Sequence, residues 1–175
     1  MKLFIPMANG QNIPFRVFNS LTKQGIDIDI VPCCSDGVIN SNHTNPLTSE
    51  QRRIKLNSEL INRNLAINFS KDLGDEFIAM QDRDLVHLKN DNFNRCIDFL
   101  VNNKDYAGIC MPWKEYLVTD HIRLTCFIIR TSIFKELKFR IDKRNHLCAT
   151  FSDDISFLGY KWGFLPSNYR LVEEI

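Results

Sequence analysis

Gly74-Asp75-Glu76-Phe77-Ile78-Ala79-Met80-Gln81-Asp82-Arg83-Asp84 is the stretch whose reading decides the fold. A glycine and two acids make a turn, an apolar run follows as a short buried strand, and two aspartates stand just past its end. In open α/β sheets, ligands sit beyond the carboxyl ends of the strands. Residues i and i+2 of an extended segment point the same way, which predicts Asp82 and Asp84 side by side. Two such carboxylates repel unless a cation lies between them. A hard ion, Mg2+ or Mn2+, itself bound to a diphosphate, removes that repulsion.

The pattern alone carries little weight. Fourteen aspartates in 175 residues make roughly one D-x-D expected by composition. A second one, Asp27-Ile28-Asp29, falls inside the alternating run of residues 26–31 and reads as a strand's solvent face. The plain reading of Asp82 and Asp84 is turn or helix-cap duty. Position separates the two pairs, because only Asp82-x-Asp84 follows the end of a strand.

Upstream, residues 2–7 form an apolar run closed by Pro6 and Asn9-Gly10, a first strand. Asn12 and Pro14 suit the start of a helix carrying Ile13, Val17, Phe18 and Leu21, with Gly25 at its end. Pro32 is expected to stop the strand of residues 26–31. Residues 35–49 are turn-rich, and Thr48-Ser49-Glu50-Gln51 has capping-box spacing for a long helix carrying Ile54, Ile61, Leu65 and Phe69. Downstream, Phe93, Cys96, Ile97, Leu100 and Val101 define an amphipathic helix. Residues 106–111 and 124–129 read as strands, and Thr131 is expected to cap a short helix running through Leu137. Ser152 is expected to cap a helix of residues 153–163 with Ile155, Leu158 and Trp162 inward. Strands and helices alternate, which favours an α/β sheet with helices on both faces.

The bulk properties narrow the function classes. The length allows one domain with one sizeable core. A formal net charge of +1 provides no field that would select nucleic acid or an anionic membrane. The six cysteines contain no C-x-x-C pair and read as reduced thiols of a cytoplasmic protein. No targeting segment or run of about 20 apolar residues is visible.

Several segments together resemble family 2 glycosyltransferases of the GT-A fold. Arg63-Asn64-Leu65-Ala66 followed by the residue 74–84 stretch looks like that family's Arg-Asn helix, Gly-acidic turn and strand ending in D-x-D. Leu3-Phe4-Ile5-Pro6-Met7-Ala8-Asn9 is similar to its first strand with Pro-x-x-Asn. Ser152-Asp153-Asp154-Ile155-Ser156-Phe157, with Gly159 and Gly163, resembles its Glu-Asp helix, and Arg130 before residues 131–137 fits its strand, arginine and short helix. The order of these segments spans most of the chain.

The resemblance implies a Rossmann-like, three-layer α/β/α sandwich with a mostly parallel central sheet. It implies a single domain over residues 1–175, with a nucleotide-sugar-binding half (1–109) and a reduced acceptor and catalytic half (110–175). Asp82 would approach the donor ribose or the metal, and Asp84 would coordinate the metal, Mn2+ or Mg2+, on the donor diphosphate. Pro6, Met7, Ala8 and Asn9 would line the nucleoside pocket, with Arg63 and Arg83 beside the donor. Asp154 matches the family's general base, and Asp153 stands where Glu is usual. The bland reading of that pair is charge in a helix's first turn.

Two departures bear on specificity. The second strand lacks the usual terminal aspartates, so either Asp36 of Pro32-Cys33-Cys34-Ser35-Asp36-Gly37 serves as the base contact or the nucleoside is held differently. No histidine follows His146, whereas retaining members commonly bring a late histidine to the metal, so inversion is expected; His121 and His146 remain secondary candidates. Trp113 is the candidate acceptor platform.

The function implied is metal-dependent transfer of a sugar from a nucleotide-diphosphate donor to an acceptor hydroxyl. The short acceptor half points to help from a partner or a dimer mate. A non-catalytic nucleotide- or glycan-binding module of the same fold is the competing reading. A sugar-phosphate nucleotidyltransferase ranks lower, because Met7-Ala8-Asn9-Gly10 has one glycine and no cation.

Overall fold

A computed structural model describes residues 1–7, 10–34, 49–111, 124–141, 147–165 and 171–175. The described elements are β1 (Lys2–Pro6), α1 (Phe15–Leu21), β2 (Asp29–Cys33), α2 (Ser49–Ser70), β3 (Phe77–Gln81), β4 (Leu85–His87), α3 (Asn92–Asn102), β5 (Tyr106–Cys110), β6 (Cys126–Arg130), α4 (Thr131–Phe134), α5 (Leu147–Phe157), β7 (Lys161–Phe164) and β8 (Val172–Glu174). Six strands form one sheet in the order β2-β1-β3-β6-β5-β7, and β4 pairs with β8 in a separate ribbon. β6 is antiparallel to both its neighbours, whereas the β1–β2, β1–β3 and β5–β7 pairs are parallel. The sheet is therefore mostly parallel, as expected.

Strand alternation splits the core into two layers. Leu3 and Ile5 of β1, Phe77 and Ala79 of β3, and Cys126 and Ile128 of β6 join Val17 and Leu21 of α1 and Phe93, Cys96 and Leu100 of α3. The intervening Phe4, Ile78, Met80, Phe127 and Ile129 face Ala66 and Ile67 of α2, Ile133 and Phe134 of α4, and Phe151 and Ile155 of α5. This is the three-layer arrangement. Each fully buried Phe or Ile contributes about 1.5–3 kcal/mol of transfer free energy. Among the described residues no helix is long and apolar enough to cross a membrane.

Five elements differ from their sequence reading. α4 takes Thr131 as its first residue, with Arg130 at the cap position, and ends at Phe134 rather than Leu137. β2 starts later than residue 26 and runs through Pro32, which does not stop it. β2 is an edge strand, where a proline's missing N–H leaves no ladder partner stranded. α1 starts at Phe15 after Pro14, without an Asn12 cap, and Phe18 is 49% exposed. On α2, Ile61 and Phe69 are half exposed, whereas Ser58, Asn62, Arg63, Ala66 and Ile67 are buried. Its buried face is partly polar, which an apolar periodicity count cannot find. Thr48 of the capping box lies outside the described residues.

The largest correction concerns the last helix. α5 spans Leu147–Phe157, so Ser152 is mid-helix and caps nothing. Leu147, Phe151 and Ile155 repeat every four residues and place the buried stripe upstream of the expected start. Gly159 ends it, with φ at 81° and a Tyr160 N–H to Ile155 carbonyl bond of 3.1 Å, a left-handed cap that glycine adopts without strain. Leu158 is exposed, and Trp162 belongs to β7. Its indole still reaches the core, edge-on to Phe127 and Phe151.

Trp162 also explains Gly108. A Cβ on Gly108 would lie 2.4 Å from the indole and 2.6 Å from the Ile128 carbonyl oxygen of the paired strand. The backbone contact cannot be relieved by a rotamer change. Gly108→Ala is expected to cost about 3 kcal/mol of stability, seen as a lower urea midpoint with an unchanged m-value.

Candidate functional site

β3 ends in a tight turn rather than an extended tip. The Leu85 N–H meets the Asp82 carbonyl at 3.4 Å, so Asp82 and Asp84 occupy the first and third positions of a four-residue turn leading into β4. The i, i+2 argument for a shared direction therefore does not apply here. What holds the turn is tertiary. The Asp82 N–H donates to the Thr125 carbonyl at 2.7 Å, and the Asp84 carbonyl accepts from the Ile175 N–H at 2.9 Å.

Three consecutive residues of α2 organise the surroundings. Successive helix positions are about 100° apart, so neighbouring side chains fan out across different segments. Asn62 donates to the Met7 carbonyl at 2.7 Å, just past the end of β1. Arg63 reaches Asp82, Nη2 to Oδ1 at 2.7 Å. Asn64 makes both available bonds to the Phe139 backbone, accepting its N–H at 3.0 Å and donating to its carbonyl at 2.9 Å. Arg140, the next residue, grips the Asp154 carboxylate through Nη1 to Oδ2 and Nη2 to Oδ1, the latter at 2.6 Å. One turn of α2 thus links the ends of β1 and β3 to the segment that holds Asp154.

The structure brings together Met7, Arg63 and Asp82, with Pro6 closing β1 beside them. The Arg63 side chain is only 8% exposed and Asp82 33%. Arg63 Nε is buried without a hydrogen-bond partner among the described residues. Arg83 is half-buried and donates from Nη1 to the Asn12 carbonyl at 3.2 Å. Asp84 is half-buried too. Asp154 lies mid-helix, not in a first turn, so the helix-terminus explanation for Asp153 and Asp154 falls away. Asp153 is exposed on the same helix. Ala8, Asn9, Asp36, Trp113, His121 and His146 lie outside the described residues.

Arg130 sits elsewhere. It ends β6, at the amino-terminal end of the antiparallel β3, and donates to the Tyr106 carbonyl at 3.0 Å and to the Leu100 carbonyl at the end of α3. Its role is to satisfy carbonyls at a helix C-terminus, away from the Asp82 turn. All six cysteines are free thiols. Burial, with Cys34 adjacent, pushes the Cys33 thiol up to about 12, which removes it as a nucleophile.

Sequence reasoning missed Asn62, Arg140 and a buried polar group behind the turn. Asn62 looked like an ordinary polar helix residue, and Arg140 carries no local signal 14 positions before its partner. His87 is the third. Burial pushes its imidazole from an ordinary 6.5 down to about 3. The folded protein therefore holds it neutral while the unfolded chain takes up a proton below about 6.5. Its contribution to stability is complete above that value and is lost as pH falls toward 3, by at most about 1.4 kcal/mol per pH unit. Urea titrations at pH 7.0, 5.5 and 4.5 check this, and His87→Gln is expected to flatten the decline.

No protein-family model matches the sequence, and no curated protein matches it. Solved structures do match the fold. A mannosyltransferase from Pyrobaculum calidifontis, in complex with GDP-Man and Mn2+, superposes with a TM-score of 0.67 at 11% identity, over 99% of this chain and 56% of its own. TarS of S. aureus matches at 0.62 and 14%, over 99% of this chain and 36% of its own. A Drosophila β1,4-galactosyltransferase 7 in complex with manganese, UDP-Gal and xylobiose matches at 0.57 and 14%, over 99% and 69%. The chain thus spans about a third of TarS and little more than half of the mannosyltransferase. With its mostly parallel sheet between two helical layers, this chain shares the GT-A fold of these three structures.

Proposed function

We propose that this chain is a metal-dependent glycosyltransferase domain that moves a sugar from a nucleotide-diphosphate donor to an acceptor hydroxyl with inversion. The observation that carries this reading is the Asp82 carboxylate, held by the buried Arg63 at the carboxyl end of β3 in a GT-A frame. Ligands of such sheets sit at that end. Support also comes from the matched mannosyltransferase and galactosyltransferase, whose structures contain nucleotide sugar and manganese.

The donor set fits a divalent ion. Asp82 and Asp84 are hard oxygen donors, which suit Mg2+ or Mn2+. Among the described residues no third His, Cys, Asp or Glu joins them, so diphosphate oxygens and water would fill the remaining positions. Such an ion, when bound, offsets the charge that builds on the departing nucleoside diphosphate. Arg63, whose Nε has no partner among the described residues, supplies a fixed cation beside the same charge. Pro6, Met7, Ala8 and Asn9 would border the nucleoside, Asp36 would contact the base, and Arg83 would flank the donor.

Asp154 serves as general base in this reading, with Asp153 next to it on α5. It takes the acceptor hydroxyl proton as that oxygen attacks the anomeric carbon, while the bond from that carbon to the diphosphate oxygen breaks. Arg140 engages each Asp154 oxygen once, which leaves a lone pair on either oxygen for the acceptor hydroxyl. The domain works as one unit over residues 1–175, in a cytoplasmic setting, with the acceptor shared with a partner or a second copy.

The same ion pair supports the second reading, a nucleotide- or glycan-binding module whose aspartate is tied up structurally. One experiment separates the two. Thermal shift is measured with UDP- and GDP-sugars, each with and without Mn2+, followed by assays of donor hydrolysis and transfer. A Mn2+-dependent rise with turnover supports the enzyme. Binding without turnover favours the module, and no binding to any donor removes both.

A further inference from the structure

Behind the Asp82–Asp84 turn a continuous chain of hydrogen bonds runs through three buried side chains that the proposed reaction does not itself use. Gln81, His87 and Asn92 are all buried, with Gln81 and Asn92 fully so. Gln81 precedes the turn, and its Nε2 donates across it to the Leu85 carbonyl at 3.3 Å. His87 ends β4, with Nε2 at 2.9 Å from Gln81 Oε1. Asn92 opens α3, with Nδ2 at 3.2 Å from His87 Nδ1 and at 2.8 Å from the Leu171 carbonyl beside β8. The His87 N–H donates to Ser20 Oγ of α1 at 3.1 Å.

The donors and acceptors allow one assignment. Asn92 Nδ2 can only donate, so His87 Nδ1 must be the accepting nitrogen. The imidazole proton then sits on Nε2 and is given to Gln81 Oε1. With that oxygen occupied, the Gln81 amide is oriented with its nitrogen toward Leu85. Each group fixes the next, and the last bond spans the turn that carries both aspartates.

We infer that His87 is a positioning residue: acting through Gln81, it sets the geometry in which Asp82 and Asp84 meet the donor. A protonated ring would present a second donor to Asn92 Nδ2 and break the chain, and burial opposes that state. The same network anchors β8, whose following residue Ile175 holds the Asp84 carbonyl. Groups that orient metal-binding side chains from behind typically change metal affinity about 10- to 100-fold when removed. This inference rests on the proposed metal-assisted donor site.

The test compares wild type, His87→Leu and His87→Gln by calorimetric binding of UDP and of GDP, each with and without Mn2+. The leucine removes both ring bonds, whereas the glutamine amide can still donate toward Gln81. The expected result is a Mn2+-dependent gain in affinity reduced about tenfold or more in His87→Leu, with metal-free affinity unchanged and the gain largely restored in His87→Gln. A folded His87→Leu with the full Mn2+ gain overturns the positioning role and leaves the transferase reading intact. A wild type with no Mn2+ gain overturns both. Nitrogen-15 NMR of the wild type covers the case in which His87→Leu does not fold. The expected spectrum keeps the Nε2–H tautomer from pH 5 to 8, and the Gln81 side-chain amide shifts when Mg2+ and UDP are added. An imidazole that titrates near 6.5, or a Gln81 amide that does not respond, overturns the role.

Discussion

Asp154→Asn is expected to abolish most turnover while leaving donor binding near wild type. Positioned proton transfer contributes about 10²- to 10⁴-fold, and asparagine cannot accept the acceptor's proton. The substitution keeps the size and one carbonyl oxygen of the aspartate, so a bond to Arg140 survives and α5 is not disturbed. Asp153→Asn, on the exposed side of the same helix, is expected to change turnover by less than about tenfold. Steady-state transfer assays, paired with calorimetric donor titrations in Mn2+, read the two quantities separately. Equal turnover in Asp154→Asn and wild type would assign the proton to another group and favour the binding-module reading.

Asp82→Asn and Asp84→Asn together are expected to lower Mn2+-dependent donor affinity by about 100-fold, from loss of both anionic ligands. Asparagine suits the first position of a turn as well as aspartate does, so the turn itself should persist. The two single variants are expected to differ in stability. Asp82→Asn leaves the buried Arg63 guanidinium facing a neutral amide, a loss of about 1–2 kcal/mol once the partial exposure of Asp82 is allowed for. Asp84→Asn removes no side-chain ion pair among the described residues and should melt close to wild type. Calorimetric titration with UDP- or GDP-sugar, and urea unfolding of each single variant, check the two halves of this expectation. A double variant with unchanged Mn2+ dependence would remove the metal site from this turn.

Much of the frame was legible because it depends on short-range patterns. The apolar run before Asp82 made β3, and its abrupt switch to charge placed the two aspartates at a strand's end. Phe93, Cys96 and Leu100 marked the inner face of α3 because its buried apolar residues repeat at helical spacing against the sheet, whereas the buried polar Asn92 at its start gave no such signal. α2 misled the same method. Its inner face carries Asn62 and Arg63, which are buried because a backbone carbonyl and a carboxylate wait for them across the interface. Ile61 and Phe69 were left outside by that rotation. Asp153 and Asp154 were placed on a helix, yet at the wrong end of it, because Ser152 looked like a cap and the Leu147–Phe151–Ile155 stripe was overlooked.

By itself, then, the chain determined the strands and helices from β1 to β3 and from α3 to α4, and the two carboxylates just past the end of β3, but not β4, β7, β8 or the start of α5. Those features arise from apolar periodicity and turn chemistry within a few residues, and need no knowledge of distant contacts. Folding in three dimensions decided the reversal of β6, the β4–β8 ribbon, the Arg140–Asp154 pair and the Gln81–His87–Asn92 relay. Each joins groups whose partners are distant in sequence or hidden by burial. A polar side chain shows its purpose only when the group that satisfies it is in place.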